Sequence, residues 1–122
     1  MKRQKSAGVR VVQIDHVEFS ASAVSTPAED TDATVTFAAE SGIAHGITGL
    51  VWSYDAVPTG GRITISGGTD VYLDMDITVD GAGFLPFTPE HIAPVGSALV
   101  VTLAAGGSGV TGKLTVLGHR KG

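Results

Sequence analysis

The 122-residue sequence contains no cysteine, which excludes both a disulfide and a thiolate zinc site. A single domain of this length can bury enough apolar surface to fold without either. The sequence also lacks any run of about 18 apolar residues, the length that a membrane-spanning helix needs. Its first residues are basic, but they are not followed by the apolar segment that a signal peptide contains. These absences predict one soluble domain, made in a cytoplasm and without a membrane partner.

Aromatic residues are scarce, with one tryptophan, two tyrosines and four phenylalanines. A glycosidase holds two carboxylates face to face across a substrate cleft, and carboxylates along one strand lie side by side instead. A carbohydrate-binding module would need aromatic side chains lined up on one exposed face. A carbohydrate-binding β-sandwich therefore stays open only as an alternative function.

Basic residues are almost absent from the middle of the chain. Positions 11–119 hold two of them, Arg62 and Lys113, against twelve acidic residues, a net charge of −10. Six basic charges divided between two chain ends make no groove for nucleic acid, so we expect no nucleic-acid partner. The ends are instead candidates for contact with an acidic protein neighbour. The basic residues at the two ends are Lys2, Arg3, Lys5, Arg10, Arg120 and Lys121.

The residues that are abundant, glycine, valine and threonine, favour strands and turns. The clearest hairpin has Ile63 and Ile65 alternating with polar residues before the turn residues Gly67 and Gly68. The next strand alternates apolar and polar positions over 70–80, which predicts one apolar face and one face of carboxylates. The apolar face is predicted to point inward and consists of Val71, Leu73, Met75, Ile77 and Val79; the carboxylates are Asp70, Asp74, Asp76 and Asp80.

Further strands are predicted over 9–24, 34–37, 47–54, 98–105 and 113–117. The segment 81–97 holds three prolines and three glycines, which predicts a long loop. About seven or eight strands separated by turns indicate an all-β domain, an antiparallel β-sandwich of jelly-roll-like form. The expected organisation is a basic N-terminal arm over 1–8, a sandwich domain over 9–118 and a basic tail over 119–122.

The large aromatic residues outside clear alternation are Trp52, Phe84 and Phe87. Trp52 lies in the apolar run of the strand predicted over 47–54 and is expected in the core. Phe84 and Phe87 lie in the predicted loop, where they either plug one end of the sandwich or face a partner. Together with the basic residues of the two ends, these two phenylalanines form the predicted interface.

No pattern of residues predicts catalysis. The four histidines, His16, His45, His91 and His119, have no short fixed spacing, and no G-x-S-x-G nucleophile motif occurs. The glycine-rich run over 106–109 precedes a predicted strand rather than a phosphate-binding helix. The carboxylates on the straight strand cannot curl around a calcium ion. We therefore predict a binding protein rather than an enzyme, with no catalytic, cofactor-binding or metal-binding residues.

Three stretches, in this order, resemble small uncharacterised proteins encoded beside capsid genes in tailed bacteriophages. They are ITGLVWSYDAVPTGGRITISGG, DMDITVDGAGFLPF and ALVVTLAAGGSGVTGKLTVLG, and the resemblance covers about residues 45–118. It implies a structural role in the virion, namely a decoration or cement protein on the capsid surface. The partner would be the major capsid protein, and the protein would form a homo-oligomer, for which we expect a trimer. A head-tail joining or tail protein is the alternative within the virion.

Overall fold

The structure is a computed structural model that describes residues 18–67 and 69–122, with side chains from Ala23 onwards. The predicted arm over 1–8 and Arg10 lie outside the described residues, as does the first half of the strand predicted over 9–24. The described chain contains eight strands and no helix, and therefore no helix that could cross a membrane. The strands are β1 (Glu18–Ser25), β2 (Ala33–Phe37), β3 (Ala44–Tyr54), β4 (Arg62–Gly67), β5 (Asp70–Asp76), β6 (Gly81–Ile92), β7 (Leu99–Leu103) and β8 (Gly112–Lys121).

The strands form two four-stranded antiparallel sheets. The first sheet has the order β1-β8-β3-β6 and the second the order β2-β7-β4-β5. The first strand thus pairs with the eighth, the second with the seventh, the third with the sixth and the fourth with the fifth. This nesting around the β4-β5 hairpin is the arrangement of a jelly roll, in which two Greek keys share one core. The predicted fold class is confirmed.

The core lies between the two sheets and draws on both inner faces. Leu50 and Val116 from the first sheet are fully buried, as are Ile63 and Val101 from the second. The alternation of apolar and polar residues puts these side chains on one side of each strand. Burial of one such side chain stabilises the fold by roughly 1.5–3 kcal/mol.

The prediction of a loop over 81–97 is wrong, because residues 81–92 form β6, the longest strand of the described chain. The prolines that argued against a strand are compatible with it because β6 is at the edge of the first sheet and pairs with β3 alone. An edge strand can hold proline, since one of its sides needs no N–H donors. Pro86 stands opposite Gly49 in this pairing, and the Thr88-Pro89 peptide bond is cis.

The predicted inward face of β5 is only partly correct. Leu73 and Met75 pack against the core, and Ile77 is buried just beyond the end of the strand. A bulge shifts the register, so that Ile65 stands opposite Leu73 but Ser66 stands opposite Val71. The extra residue, Tyr72, packs against the core in place of Val71. Val71 and the later Val79 are 65% and 66% exposed, which corrects their predicted burial.

Residues 119–121 do not form a separate tail. They are the last three residues of β8, which runs to Lys121 and stays paired with β1 and β3 up to that point. The sandwich therefore extends three residues beyond the predicted boundary at 118.

Candidate docking surface

The outer face of the first sheet carries a row of side chains in register across all four strands. Val24 of β1 stands opposite Thr115 of β8, Thr115 opposite Val51 of β3, and Val51 opposite Phe84 of β6. Val24 is 64% exposed and Phe84 is 59% exposed. The neighbouring residue of Val51, Leu50, is fully buried on the inner face, which shows that the row points away from the core. The row therefore presents apolar surface from one edge of the sheet to the other.

A second row beside the first extends this apolar surface. Leu117 of β8 stands opposite Gly49 of β3, which in turn stands opposite Pro86 of β6. The ring of Phe84 lies over Gly49, since a Cβ atom on that glycine would be 3.1 Å from Cε1 of the ring. Leu117 is partly exposed and Pro86 is exposed. We call the two rows together the apolar face, and it consists of Val24, Val51, Phe84, Pro86 and Leu117.

The outer face of the second sheet is different in composition. Its corresponding row consists of Thr34, Thr102, Thr64 and Asp74, again in register across the four strands. Hydroxyl and carboxylate groups in such a row are well solvated, whereas a contiguous apolar patch is a usual mark of an interaction site. The adjacent row of the second sheet also contains valines, Val100 and the exposed Val71, but the first sheet presents the larger exposed apolar side chain, Phe84, and is the candidate docking surface.

An ion-paired cluster borders the apolar face at the end of β8. The Lys121 amine contacts Oε1 of Glu90, and Nε2 of His119 lies 3.5 Å from the other carboxylate oxygen. Arg120, on the opposite side of the strand, donates two hydrogen bonds to Glu40, at 3.2 and 2.6 Å. These hydrogen bonds hold the pKa of Glu40 below its ordinary value. The predicted interface residues Arg120 and Lys121 are therefore engaged within the domain itself.

The structure separates the two phenylalanines that the sequence analysis grouped together. Phe84 points outward as part of the apolar face, whereas Phe87 is partly buried and packs against the core. Trp52 also packs against the core, as predicted, with its indole ring over Gly83. Among the side chains from Ala23 onwards, Phe84 is the one aromatic side chain that is largely exposed. The exposed aromatic series that a carbohydrate-binding face needs is not formed by this part of the chain.

Comparison of the chain with protein-family models, with curated proteins and with solved structures gives no match. Sequence reasoning included Phe84 among the interface residues but missed Val24, Val51 and Leu117. Each of these three lies in an apolar or alternating run, and only the pairing register shows that they share one outer face.

The carboxylates of β5 and the following turn lie on the surface. Asp70, Asp74, Asp76 and Asp80 are all exposed. Among residues 18–67 and 69–122, no group of three or more His, Asp or Glu side chains is arranged to hold a metal ion. Arg62 of the neighbouring strand donates two hydrogen bonds to the carboxylate of Asp74, one from Nε at 2.6 Å and one from the guanidinium nitrogen Nη2. This hydrogen bonding holds the pKa of Asp74 below its ordinary value.

Asp74→Asn should be well tolerated, because its partner Arg62 and the carboxylate are both about half exposed and water screens the ion pair. Because the pKa of Asp74 is lower in the folded protein than in the unfolded chain, ionised Asp74 stabilises the fold. This stabilisation is fully present above the pKa that Asp74 has in the unfolded chain. That contribution is lost as the pH falls through the folded value. Urea unfolding at pH 7 and at pH 3 should therefore show a small loss for the variant at pH 7 and a smaller one at pH 3. A loss that is larger at pH 3 would contradict this assignment.

Proposed function

We propose that the chain is a structural protein of a tailed-bacteriophage virion, a decoration or cement protein that binds the assembled head and stabilises it without catalysing a reaction. The observation that carries the proposal is the separation of charge along the chain. Residues 18–122 contain four basic and eleven acidic residues, a net charge of −7, whereas residues 1–17 contain four basic residues and one acidic residue, a net charge of +3. An acidic jelly roll thus follows a basic N-terminal segment. The resemblance to proteins encoded beside capsid genes supports the same role.

The position of β1 in the fold suits an arm that reaches a neighbour. Glu18 opens this strand, which is the outermost strand of the first sheet, opposite Lys121. The described chain therefore starts at one edge of the sheet that carries the apolar face. The predicted arm of eight residues reaches at most about 28 Å in extended form. That reach is enough to cross onto an adjacent subunit of a shell.

The chemistry of such a contact is the meeting of amines and guanidinium groups with surface carboxylates. Lys2, Arg3, Lys5 and Arg10 would bind an acidic region of the major capsid protein. Each exposed ion pair contributes little, and salt screens it over about 10 Å at 0.1 M. A protein repeated over a lattice can nevertheless bind well, because contacts made at the same time gain from effective concentration.

The test uses heads of the phage that encodes the chain, prepared without this protein. Full-length protein, a variant lacking residues 1–8, and Lys113→Gln as a control for a charge on the domain are added, and occupancy and resistance to heat are measured. We expect full occupancy for the full-length protein and the control. The truncated protein should remain folded and bind less, and the difference between them should shrink as salt is raised.

Two results would contradict the proposal. If none of the proteins binds the heads, and mass spectrometry of purified virions finds the protein in the tail or not at all, the decoration role is wrong. If the truncated protein binds and protects as well as the full chain, the arm does not make the contact, and the role of the charge separation is refuted.

A further inference from the structure

We infer that the outer edge of β1 is a docking site for residues 9–14 of the same chain, which fold back along it and add a fifth strand to the first sheet. The outer edge is the side of β1 that faces away from β8, its one partner among the described strands. The inference concerns the free protein and does not depend on the virion role.

The two sheets have four edge strands, and three of them carry features that block pairing with a further strand. Proteins protect such edges with proline, charged side chains, bulges or a short length. β6 contains Pro86 and Pro89, and β5 has a bulge and three exposed aspartates. β2 has five residues, and the amide of Thr34 already donates a hydrogen bond of 3.2 Å to the hydroxyl of Ser25.

The fourth edge strand, β1, has none of these features. It is eight residues long and contains no proline and no glycine, and its one charged residue is Glu18 at its start. Its unpaired N–H and C=O groups can therefore bond to a further strand over most of its length. Within the described sheets, β1 is the edge that is open to strand addition.

The chain that precedes β1 is suited to occupy this edge. It cannot continue beside β8, because Glu18 stands opposite Lys121, the last residue of that strand. Residues 9–14, VRVVQI, nevertheless favour a strand, since four of the six are valine or isoleucine. Such a segment needs a strand as its partner, and the open edge of β1 begins a few residues further along the chain.

The connection between this segment and β1 has the length of a hairpin loop. Residues 15–17 separate the two, and hairpin loops commonly have two to five residues. Asp15 and His16 are of types that tolerate the positive φ angles of such turns. Pairing within one chain costs only the closure of this short loop, whereas a strand from another molecule has to be present at high concentration. The chain's own segment is therefore the favoured occupant.

The charges around the edge agree with this course of the chain. A segment antiparallel to β1 carries the predicted arm over 1–8 towards Ser25, where β1 ends. The loop that follows contains Glu29, Asp30 and Asp32, all exposed, and the arm contains three basic residues. Their attraction favours the folded-back segment over one that continues straight on from Glu18, away from these carboxylates.

The test is amide hydrogen exchange of the full-length protein, followed by NMR. Successive amides of a strand point to opposite sides, so every second amide of β1 is protected only if its outer edge is covered. The amide of Thr36 in β2 is the reference for an open edge, because it points the same way as that of Thr34, away from β7. After correction for intrinsic rates, we expect the outward amides of β1 to exchange at least about a hundredfold more slowly than that of Thr36.

A double variant, Val11→Pro with Val12→Pro, should abolish this protection. Two consecutive prolines remove neighbouring N–H donors, one of which faces β1 in any register. The control is Gln4→Pro with Ser6→Pro, which places two prolines in the arm without changing its charge. We expect the outward amides of β1 to become as fast as that of Thr36 in the first variant and to stay slow in the control. The amides of β7, an internal strand, should stay slow in both and show that the domain is folded.

The inference is overturned if the outward amides of β1 exchange as fast as that of Thr36 in the wild type, or if the first variant leaves their protection unchanged. Equal loss in the control variant would mean that the arm covers the edge instead. Protection that disappears on dilution would identify a strand from a second copy, which also refutes the inference. These measurements use the chain alone, so their failure would leave the virion role untouched, and a failure to bind heads would contradict that role alone.

Discussion

Leu50→Asp should leave no folded protein under conditions in which the wild type is native. Leu50 is fully buried on the inner face of β3, an internal strand that pairs with both β6 and β8. The substitution removes roughly 1.5–3 kcal/mol of favourable burial and places a carboxylate without a partner between the sheets. A carboxylate in such a place costs several kcal/mol more. The total is comparable with the whole stability of a typical domain, about 5–15 kcal/mol.

Val51→Asp is the matched control for this prediction. It changes the next residue of the same strand, which points outward and is 36% exposed, so the new carboxylate stays in water. Far-UV circular dichroism and urea unfolding should show a cooperative transition for Val51→Asp and none for Leu50→Asp. A native transition for Leu50→Asp would mean that the inner and outer faces of β3 are assigned the wrong way round.

Tyr54→Ala should lower the free energy of unfolding by about 3–5 kcal/mol, the usual cost of removing a large buried aromatic side chain. Tyr54 is 1% exposed at the end of β3. Its hydroxyl donates a hydrogen bond of 2.6 Å to the carbonyl of Ala104, after β7, and accepts one of 3.4 Å from the amide of Arg62, in β4. The side chain therefore ties the first sheet to two strands of the second.

Tyr54→Phe distinguishes the contribution of the hydroxyl to stability from that of the ring. The ring stays in the core, but the carbonyl of Ala104 and the amide of Arg62 lose a partner, so we expect a loss of about 1–3 kcal/mol. Urea unfolding of the three proteins at pH 7 should give the lowest free energy of unfolding for the alanine variant. The phenylalanine variant should lie between the alanine variant and the wild type. Equal stability of the phenylalanine variant and the wild type would contradict a structural role for the hydroxyl.

The same pair of proteins should differ in alkali. Burial is the main cause that raises the pKa of Tyr54 above its ordinary value of 10. A raised pKa means that the neutral side chain stabilises the fold below the unfolded value, and that this contribution is lost as the pH rises through the folded value. Stability of the wild type should therefore fall more steeply above pH 10 than that of Tyr54→Phe. Parallel decreases would contradict the assignment.

The strands with strict alternation were predictable from the sequence. Ile63 and Ile65 in β4, and Val35 in β2, stand between polar residues and are buried in the structure. Period-2 alternation needs only neighbouring residues to specify which side faces a core. Turn residues at regular intervals then indicate many short antiparallel strands, and these are sufficient for the class of fold.

The strand β6 and the outward direction of the Val71 side chain could not be predicted in the same way. Pro86 and Pro89 argue against a strand unless it is at the edge of a sheet, and that position depends on where β3 and β8 lie. Likewise, Val71 continues the alternation of its strand, but the bulge opposite Ser66 moves Tyr72 into its place. In both cases the neighbouring strand, not the local pattern, determined the outcome.

The sequence by itself determined the all-β class of the fold, the buried residues of its strictly alternating strands and the separation of an acidic domain from a basic N-terminal segment. Only the tertiary structure decided which apolar residues became surface. Val24, Val51 and Phe84 are distant in the chain, and they form one row because β1, β8, β3 and β6 pair in a particular register. Likewise, Arg120 and Lys121 became parts of ion pairs because β8 continues past Glu40 and Glu90. The register of the strands brings together residues that no local pattern relates, and so it defines the apolar face.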